Sequence, residues 1–277
     1  MSATDYVGRF APTPSGPLHF GSIVAAAGSW LDARSEGGQW RLRIDDLDQP
    51  RVAKGSVDAI FHILEKYGLD WDGEPVYQST RFDRYHDVVE QLSSLGRTYF
   101  CNCTRKDWQN QEVYPSTCRS LNHLKGRARR YRSSDGEVSW HDLEQGLTKV
   151  NVRSDVGDFL LINAHGIYSY QLANATDDVD MGVTNVVRGA DLLTVTAAHI
   201  MIQQAIGNDS IRYKHLPLAL SADGQKISKA TLAPGVTIQN APETLQRAFA
   251  HLGMESIPLD EPRNMLSAAL SKWPMRQ

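Results

Sequence analysis

Two segments about two hundred residues apart carry residue types suited to a nucleoside triphosphate. Gly8 to Ser22 reads GRFAPTPSGPLHFGS: an apolar start, a loop rich in proline and glycine, a histidine, then an amphipathic run. That order predicts a strand, a phosphate-facing turn and a helix whose first N–H groups favour an anion. Pro12, Pro14, Gly16 and Pro17 shape the turn. Gly21 leaves room for a nucleotide against the backbone. His19 stands where loop becomes helix, placed to donate to a phosphoryl oxygen as charge builds in an in-line displacement. Gly224 to Ala230 reads GQKISKA, with Ser228 between Lys226 and Lys229. Ammonium groups on flexible stems suit phosphates that move during reaction. Taken singly, the first segment is also a turn with a surface histidine, and the second a pair of solvated lysines. Their joint presence carries the reading, which requires His19 and Lys229 to converge on one triphosphate.

A second constellation is Cys101-x-Cys103 followed by Tyr114-x3-Cys118. Three thiolates suit tetrahedral Zn²⁺. Spacing does not identify the fourth ligand, for which His123 is the ordinary chemical choice. A closed four-ligand site leaves no position for water, so its role would be structural; free cysteines in a reducing compartment are the alternative. Beside it, Lys125 to Arg132 reads KGRARRYR. Such a run binds a phosphate backbone without reading sequence, and Tyr131 could stack on a base; a strand with an exposed charged face is the other reading. Asp177, Asp178 and Asp180 could hold Mg²⁺ in isolation, but such clusters are usually turns with helix-capping aspartates. No cysteine or serine presents itself as a nucleophile.

The elements that must position these groups alternate. Tyr6–Phe10 and Gln39–Ile44 read as strands. Ser22 to Ser35, Val57–Tyr67 and Arg81–Leu95 read as helices, each followed by glycine. From Tyr99 to about Asp158 the text turns polar and irregular, an insertion. Then come short strands at Phe159–Ile162, Tyr168–Leu172 and Val183–Val187, a helix at Thr194–Ile206, a strand at Arg212–Leu220 and a last helix at Pro242–Leu252. Strand–helix alternation implies right-handed crossovers and a parallel sheet. The 277 residues, 41% hydrophobic and 22% charged, are ordinary for a globular protein with a real core. A net charge of −3 means that a nucleic acid would be met by a local patch. No apolar run spans a membrane, no signal peptide is visible, and three cysteines make no disulfide scaffold. A cytoplasmic protein is expected.

HFGS and KISK resemble the HIGH and KMSKS signatures of the class I aminoacyl-tRNA synthetases. RFAPTPSG, RIDDLDQPR at Arg43 to Arg51 and VVRGADLL at Val186 to Leu193 are similar to the glutamyl subgroup. The resemblance runs from about Tyr6 to Ala230, with Ser22 where the bare motif has a second histidine. It implies an α/β, Rossmann-type parallel-sheet catalytic domain over 1–98 and 158–240. A zinc-binding insertion at 99–157 would interrupt it, and a short helical C-terminal tail at 241–277 would follow. ATP, with Mg²⁺, would lie against Pro12, Gly16, His19, Gly21, Ser22, Lys226, Ser228 and Lys229, with His19 and Lys229 catalytic. L-glutamate would lie against Arg9, Phe10, Ala11, Pro12, Thr13, Asp45, Tyr170 and Arg188. There a guanidinium holds its side-chain carboxylate, a protein carboxylate its ammonium, and a phenol adds a directed hydrogen bond. The family usually has Glu where Asp45 stands, one methylene longer. The family's zinc ligands fall on Cys101, Cys103, Tyr114 and Cys118, which makes Tyr114 the fourth.

About 50 residues follow Lys229, below the usual size of a domain with its own core. That favours the truncated paralogues without an anticodon-binding domain. These transfer activated glutamate to the queuosine base in the anticodon of tRNA(Asp). A monomer is expected. The alternatives are a reduced glutamyl-tRNA synthetase acylating a tRNA 3′ end, an inert RNA- or zinc-binding paralogue, and a small-molecule adenylate-forming ligase.

Overall fold

A computed structural model describes residues 5–218 and 235–274. In chain order its main elements are β1 (Val7–Phe10), α1 (Phe20–Ser35), β2 (Gln39–Ile44), α2 (Ser56–Lys66), β3 (Val76–Tyr77), α3 (Phe82–Ser94) and β4 (Thr98–Cys101). They continue as β5 (Ala128–Tyr131), β6 (Glu137–Asp142), β7 (Gly146–Asn151), β8 (Leu160–Ile162), α4 (Tyr170–Asp180), β9 (Asn185–Gly189), α5 (Leu193–Ala205), β10 (Arg212–Leu216), α6 (Ala241–His251) and α7 (Pro262–Lys272). The chain divides into two compact units, one of residues 1–77, 183–191 and 212–277, the other of 78–182 and 192–211.

The first unit is built on parallel strands. β1 pairs with β2 from Val7↔Gln39 to Phe10↔Leu42, β2 with β3, and β9 with β10 from Asn185↔Arg212 to Gly189↔Leu216. β1 lies beside β9, where the Thr184 N–H donates to the Val7 carbonyl at 2.9 Å. The chain therefore winds outward from β1 through β2 to β3 on one side, and the other side is filled by β9 and β10. Such a reversal of strand order opens a crevice at the carboxyl ends of the strands.

Helix α1 covers this sheet. Ile23, Ala26, Ala27 and Leu31 are fully buried along it, and a large side chain so removed from water stabilises by about 1.5–3 kcal/mol. Gly28 lets the helix sit directly on β10, because a Cβ there would stand 2.7 Å from Leu216 Cδ1. Helices α6 and α7 also pack on α1, contributing Leu245, Phe249, Met265 and Leu266 to the same core. Asp32, buried in α1, ties this layer together: it accepts from Tyr6 Oη at 2.7 Å, Lys214 Nζ at 3.2 Å and Trp273 Nε1 at 3.4 Å.

The second unit corrects three expectations. The segment from Tyr99 to Asp158 is not irregular throughout. β4, β5 and β8 form an antiparallel sheet, β6 and β7 an antiparallel hairpin, and Tyr99, Cys101, Tyr114, Cys118 and Ala128 a small core. Tyr168–Leu172 is not a strand. Ser169 accepts from the Leu172 N–H at 3.2 Å and caps α4, which begins at Tyr170; the serine cap overrode the alternation of Tyr168, Tyr170 and Leu172 with polar residues. Asp177, Asp178 and Asp180 are not in a turn but within α4. Asp177 is fully buried and accepts from Arg81 Nε at 2.7 Å, Gln78 Nε2 at 2.8 Å and Tyr85 Oη at 2.8 Å. Asp180 meets Arg81 and Arg84. These carboxylates fasten α4 to α3 and its approach.

Candidate functional site

His19 is the N-cap of α1. Its backbone is extended, its Nδ1 accepts from the Ser22 N–H at 3.3 Å, and Ser22 Oγ accepts from the His19 N–H at 3.4 Å, a reciprocal capping box. An imidazole that accepts at Nδ1 while neutral carries its proton on Nε2. The cap therefore sets the tautomer that donates, at the helix end where backbone N–H groups concentrate positive potential. Gly21 and Ser22 complete the first turn. The preceding loop is held from outside: Pro12 O accepts from the Asp45 N–H at 3.0 Å, and Pro14 O from the Ala53 N–H at 2.9 Å and Ser56 Oγ at 2.6 Å. Gly16, at φ +138°, takes a conformation that side-chain-bearing residues rarely adopt.

Arg9 on β1 and Arg188 on β9 are both buried, and the Arg9 guanidinium reaches the Val187 carbonyl at 3.4 Å. Arg188 Nε donates to His215 Nε2 at 3.2 Å; His215 is its register partner on β10. Asp45, just past β2, accepts from Arg43 Nε at 2.7 Å; Arg43 is fully buried. Arg9, Phe10, Ala11, Pro12, Thr13, Asp45, Arg188 and the His19 turn thus belong to one unit, at or just beyond the carboxyl ends of β1, β2 and β9. Tyr170 belongs to the other unit. It opens α4, half-buried, its ring 5.4 Å from that of His199.

Lys226, Ser228 and Lys229 lie outside the described residues. After that gap the chain is anchored beside the histidine turn: the Val236 N–H donates to the Leu18 carbonyl at 2.9 Å, and Gly235 lies against Pro17.

In the second unit the three cysteines converge, their Sγ atoms within 4.8 Å of one another. Tyr114 Oη stands 3.4 Å from the Sγ of both Cys101 and Cys103 and accepts from the Cys118 N–H at 3.0 Å. His123 is not in this group. Three sulfurs and a phenol oxygen at mutual contact are a donor set that fits one tetrahedral Zn²⁺. Burial opposes the Cys118 thiolate, but the Asn102 backbone and hydrogen bonds from Tyr114, Cys103 and Cys101 outweigh it and bring the thiol down to about 6. Burial pushes Cys103 up to about 11, and burial with the neighbouring thiols pushes the Tyr114 phenol above its usual range. A bound divalent cation reverses such penalties at the thiols, because it favours thiolate ligands.

The basic run does not present one face. Lys125 and Arg127 are exposed, but Ala128–Tyr131 is β5, and Arg130 and Tyr131 are buried. Tyr131 stacks on Phe159 at 4.9 Å and donates to the Met201 carbonyl at 3.1 Å. It is therefore not available to stack on a base. Sequence reasoning also missed Arg43 and His215, which hold Asp45 and Arg188. Two arginines alternating with apolar residues within a strand, RLRI at 41–44, were the signal for the first; nothing local marked the second.

A sequence profile described as tRNA synthetases class I (E and Q), catalytic domain, matches residues 6–255. The chain is 44% identical to the Glutamyl-Q tRNA(Asp) synthetase of Pseudomonas putida over 278 residues, covering 99% of this chain and 93% of that protein. It is 45% identical to the protein of the same name from Chromobacterium violaceum, over 91% of this chain and 88% of that one. Among solved structures, a glutamate tRNA ligase from Elizabethkingia meningosepticum in complex with its amino acid superposes with a TM-score of 0.81 at 23% identity, a likeness of fold. The glutamate-tRNA synthetase of Elizabethkingia anophelis does so with 0.72 at 28% identity. The chain spans 65% of the first solved protein and 52% of the second.

Proposed function

The chain belongs to the class I tRNA synthetases of the E and Q group, a family of ATP-using ligases, and on that premise we infer that it activates L-glutamate as glutamyl-adenylate and transfers the glutamyl group to the queuosine base in the anticodon of tRNA(Asp). The observation that carries this reading is 44% identity over almost the whole length of a relative so named. The site supplies chemistry that agrees with it. Arg9 and Arg188 offer guanidinium groups for the substrate's side-chain carboxylate. Asp45, aimed by Arg43, offers a carboxylate for its ammonium. The family resemblance assigns a phenol to Tyr170.

In the first step the glutamate α-carboxylate attacks the α-phosphorus of ATP in line; the O–P bond forms and pyrophosphate leaves. His19 Nε2–H and the α1 N-terminus stabilise the charge that builds on the phosphoryl oxygens. Lys229 is assigned the same task. It stands seven residues before Val236, which is pinned to Leu18, so a fully extended tether reaches at most about 25 Å. In the second step a hydroxyl of the queuosine cyclopentene diol attacks the acyl carbon, AMP leaves, and the hydroxyl proton departs to solvent. Positioning and electrostatics, with no covalent protein intermediate, carry the rate. Mg²⁺ bound with ATP would neutralise phosphate charge. Zn²⁺ held by Cys101, Cys103, Tyr114 and Cys118 would supply a structural cross-link through the 99–157 segment, whose exposed Lys125 and Arg127 would meet the RNA backbone. A monomeric enzyme acting on tRNA in the cytoplasm follows from this reading.

The test is glutamate transfer to tRNA(Asp) with and without queuosine, followed by mapping of the acylated nucleotide after nuclease digestion. Label on the queuosine nucleotide is the expected result. Label on the 3′-terminal nucleotide, the outcome favoured by the likeness to glutamate-tRNA synthetases, overturns it. Absence of glutamate-dependent exchange of pyrophosphate into ATP would mark an inert paralogue.

A further inference from the structure

Of the cations in the basic run, Arg130 is turned inward, with 5% of its surface exposed. Its guanidinium carbon lies 3.5 Å from the centroid of the Tyr114 ring and 5.8 Å from that of Trp108. One nitrogen donates to the Asp158 backbone carbonyl at 2.8 Å, while Nε meets no acceptor among the described residues. The Asp158 carboxylate is committed to other groups. It accepts from Tyr99 Oη at 2.7 Å and the Ser133 N–H at 2.8 Å, and Arg119 stands 3.6 Å from it. Arg119 is therefore the guanidinium paired with this carboxylate, and the positive charge of Arg130, which meets no carboxylate among the described residues, is left over. A buried ion is costly unless a counter-charge lies close. The hydroxyl of the same Tyr114 ring stands 3.4 Å from the Sγ of Cys101 and Cys103. A divalent ion held by three thiolates and a neutral phenol carries one net negative charge, which matches the surplus.

We propose that Arg130 is the counter-charge of the metal cluster: a buried guanidinium, stacked on the ring of the fourth ligand, that compensates the anionic thiolate centre and raises its affinity for Zn²⁺. Arg105, stacked on Trp108 at 4.0 Å, is exposed, so water and salt screen it and it does not fill this role. Arg130 acts through the ligands and is a positioning residue. The inference rests on the reading of the cluster as a zinc site.

The test uses the full chain and two variants, R130M, which removes the charge, and R130K, which keeps it. Zinc affinity is read by competition with a chromophoric chelator. R130M is expected to bind about 10–100-fold more weakly than the parent, the range found when groups supporting metal ligands are removed, and R130K within about 3-fold of it. Equal affinity of R130M and the parent overturns the proposal. Equal weakening in both variants also overturns it, because shape rather than charge would then be at stake. A parent protein that binds no zinc would remove the metal reading itself, a failure distinct from the other two. In the cobalt-substituted protein the thiolate-to-metal absorption is expected to persist in R130M; its loss would mean a displaced ligand and overturn the charge argument. Should R130M not fold, R130Q carries the same comparison.

Discussion

His19 does two things with one ring. Nδ1 satisfies the Ser22 N–H, and the tautomer this selects leaves Nε2 as the donor. The two tasks separate by substitution. H19S keeps a side-chain oxygen for the cap but is too short to reach a phosphoryl group; H19A loses both. Each is expected to cut glutamate-dependent pyrophosphate exchange by about 10²-fold or more, the usual cost of removing one such donor. Only H19A is expected to lose about 1 kcal/mol of stability in urea unfolding, the worth of an N-cap. Arg43 makes a sharper case on stability. It is fully buried and donates to Asp45 at 2.7 Å. R43M deletes one partner of a buried ion pair, so about 3–5 kcal/mol should be lost, with a raised KM for glutamate. A variant as stable as the parent would show that the pair does not orient Asp45.

At the scale of elements, β5 decides which arginines see solvent. Lys125 and Arg127 lie before the strand and are exposed, whereas Arg130 and Tyr131 on the strand are buried. The double variant K125A/R127A is expected to weaken tRNA binding alike for queuosine-containing and queuosine-lacking RNA. It should also lower the slope of log affinity against log salt by roughly 1.5, about 0.7–0.9 per lost phosphate contact. An unchanged slope would take these residues off the RNA. The junction of α3 with α4 gives a pH prediction. Burial raises the Asp180 carboxyl, but its bonds and attraction to Arg84 and Arg81 outweigh that and hold it below the usual range. A carboxylate depressed on folding contributes stability above its unfolded pKa of about 3.9 and loses it as pH falls through the folded value. D180N should therefore flatten the acid limb of Tm against pH below about 4, and leave the neutral plateau lower than in the parent.

For the whole molecule, the thiol cluster and the Arg9–His19–Arg188 group belong to different compact units. Removal of metal by a chelator is therefore expected to act unevenly. Amide hydrogen exchange should rise across 99–157, where Tyr99, Cys101, Tyr114, Cys118 and Ala128 supply only a small core, and stay low in α1 and β1. Glutamate activation should survive while transfer to tRNA falls. Equal loss of both reactions would mean that the metal supports the catalytic body itself.

What was legible in the sequence is what short-range physics dictates. A proline- and glycine-rich loop before an amphipathic run marks a strand–turn–helix, and a polar residue at its junction becomes a cap. Hence β1, α1 and the position of His19 were readable from Gly8 to Ser22, and β2 from Gln39–Ile44. Cysteine spacing likewise announced a thiol cluster. Pairings between distant positions were not legible. Asp177 meets Gln78 and Arg81 across almost a hundred residues, and this turns an apparent capping cluster into a helix fastener. Tyr168–Leu172 reads as a strand because Tyr168, Tyr170 and Leu172 alternate with Ser169 and Gln171, and the Ser169 cap starts a helix at Tyr170 instead. The placement of Tyr114 rather than His123 at the thiols, which spacing left open and the family resemblance alone assigned, the burial of Tyr131, and the inward turn of Arg130 depended on how β4, β5 and β8 come together. Local propensity acts over a few residues, whereas burial and charge pairing depend on the path of the entire chain, and only tertiary structure supplies that.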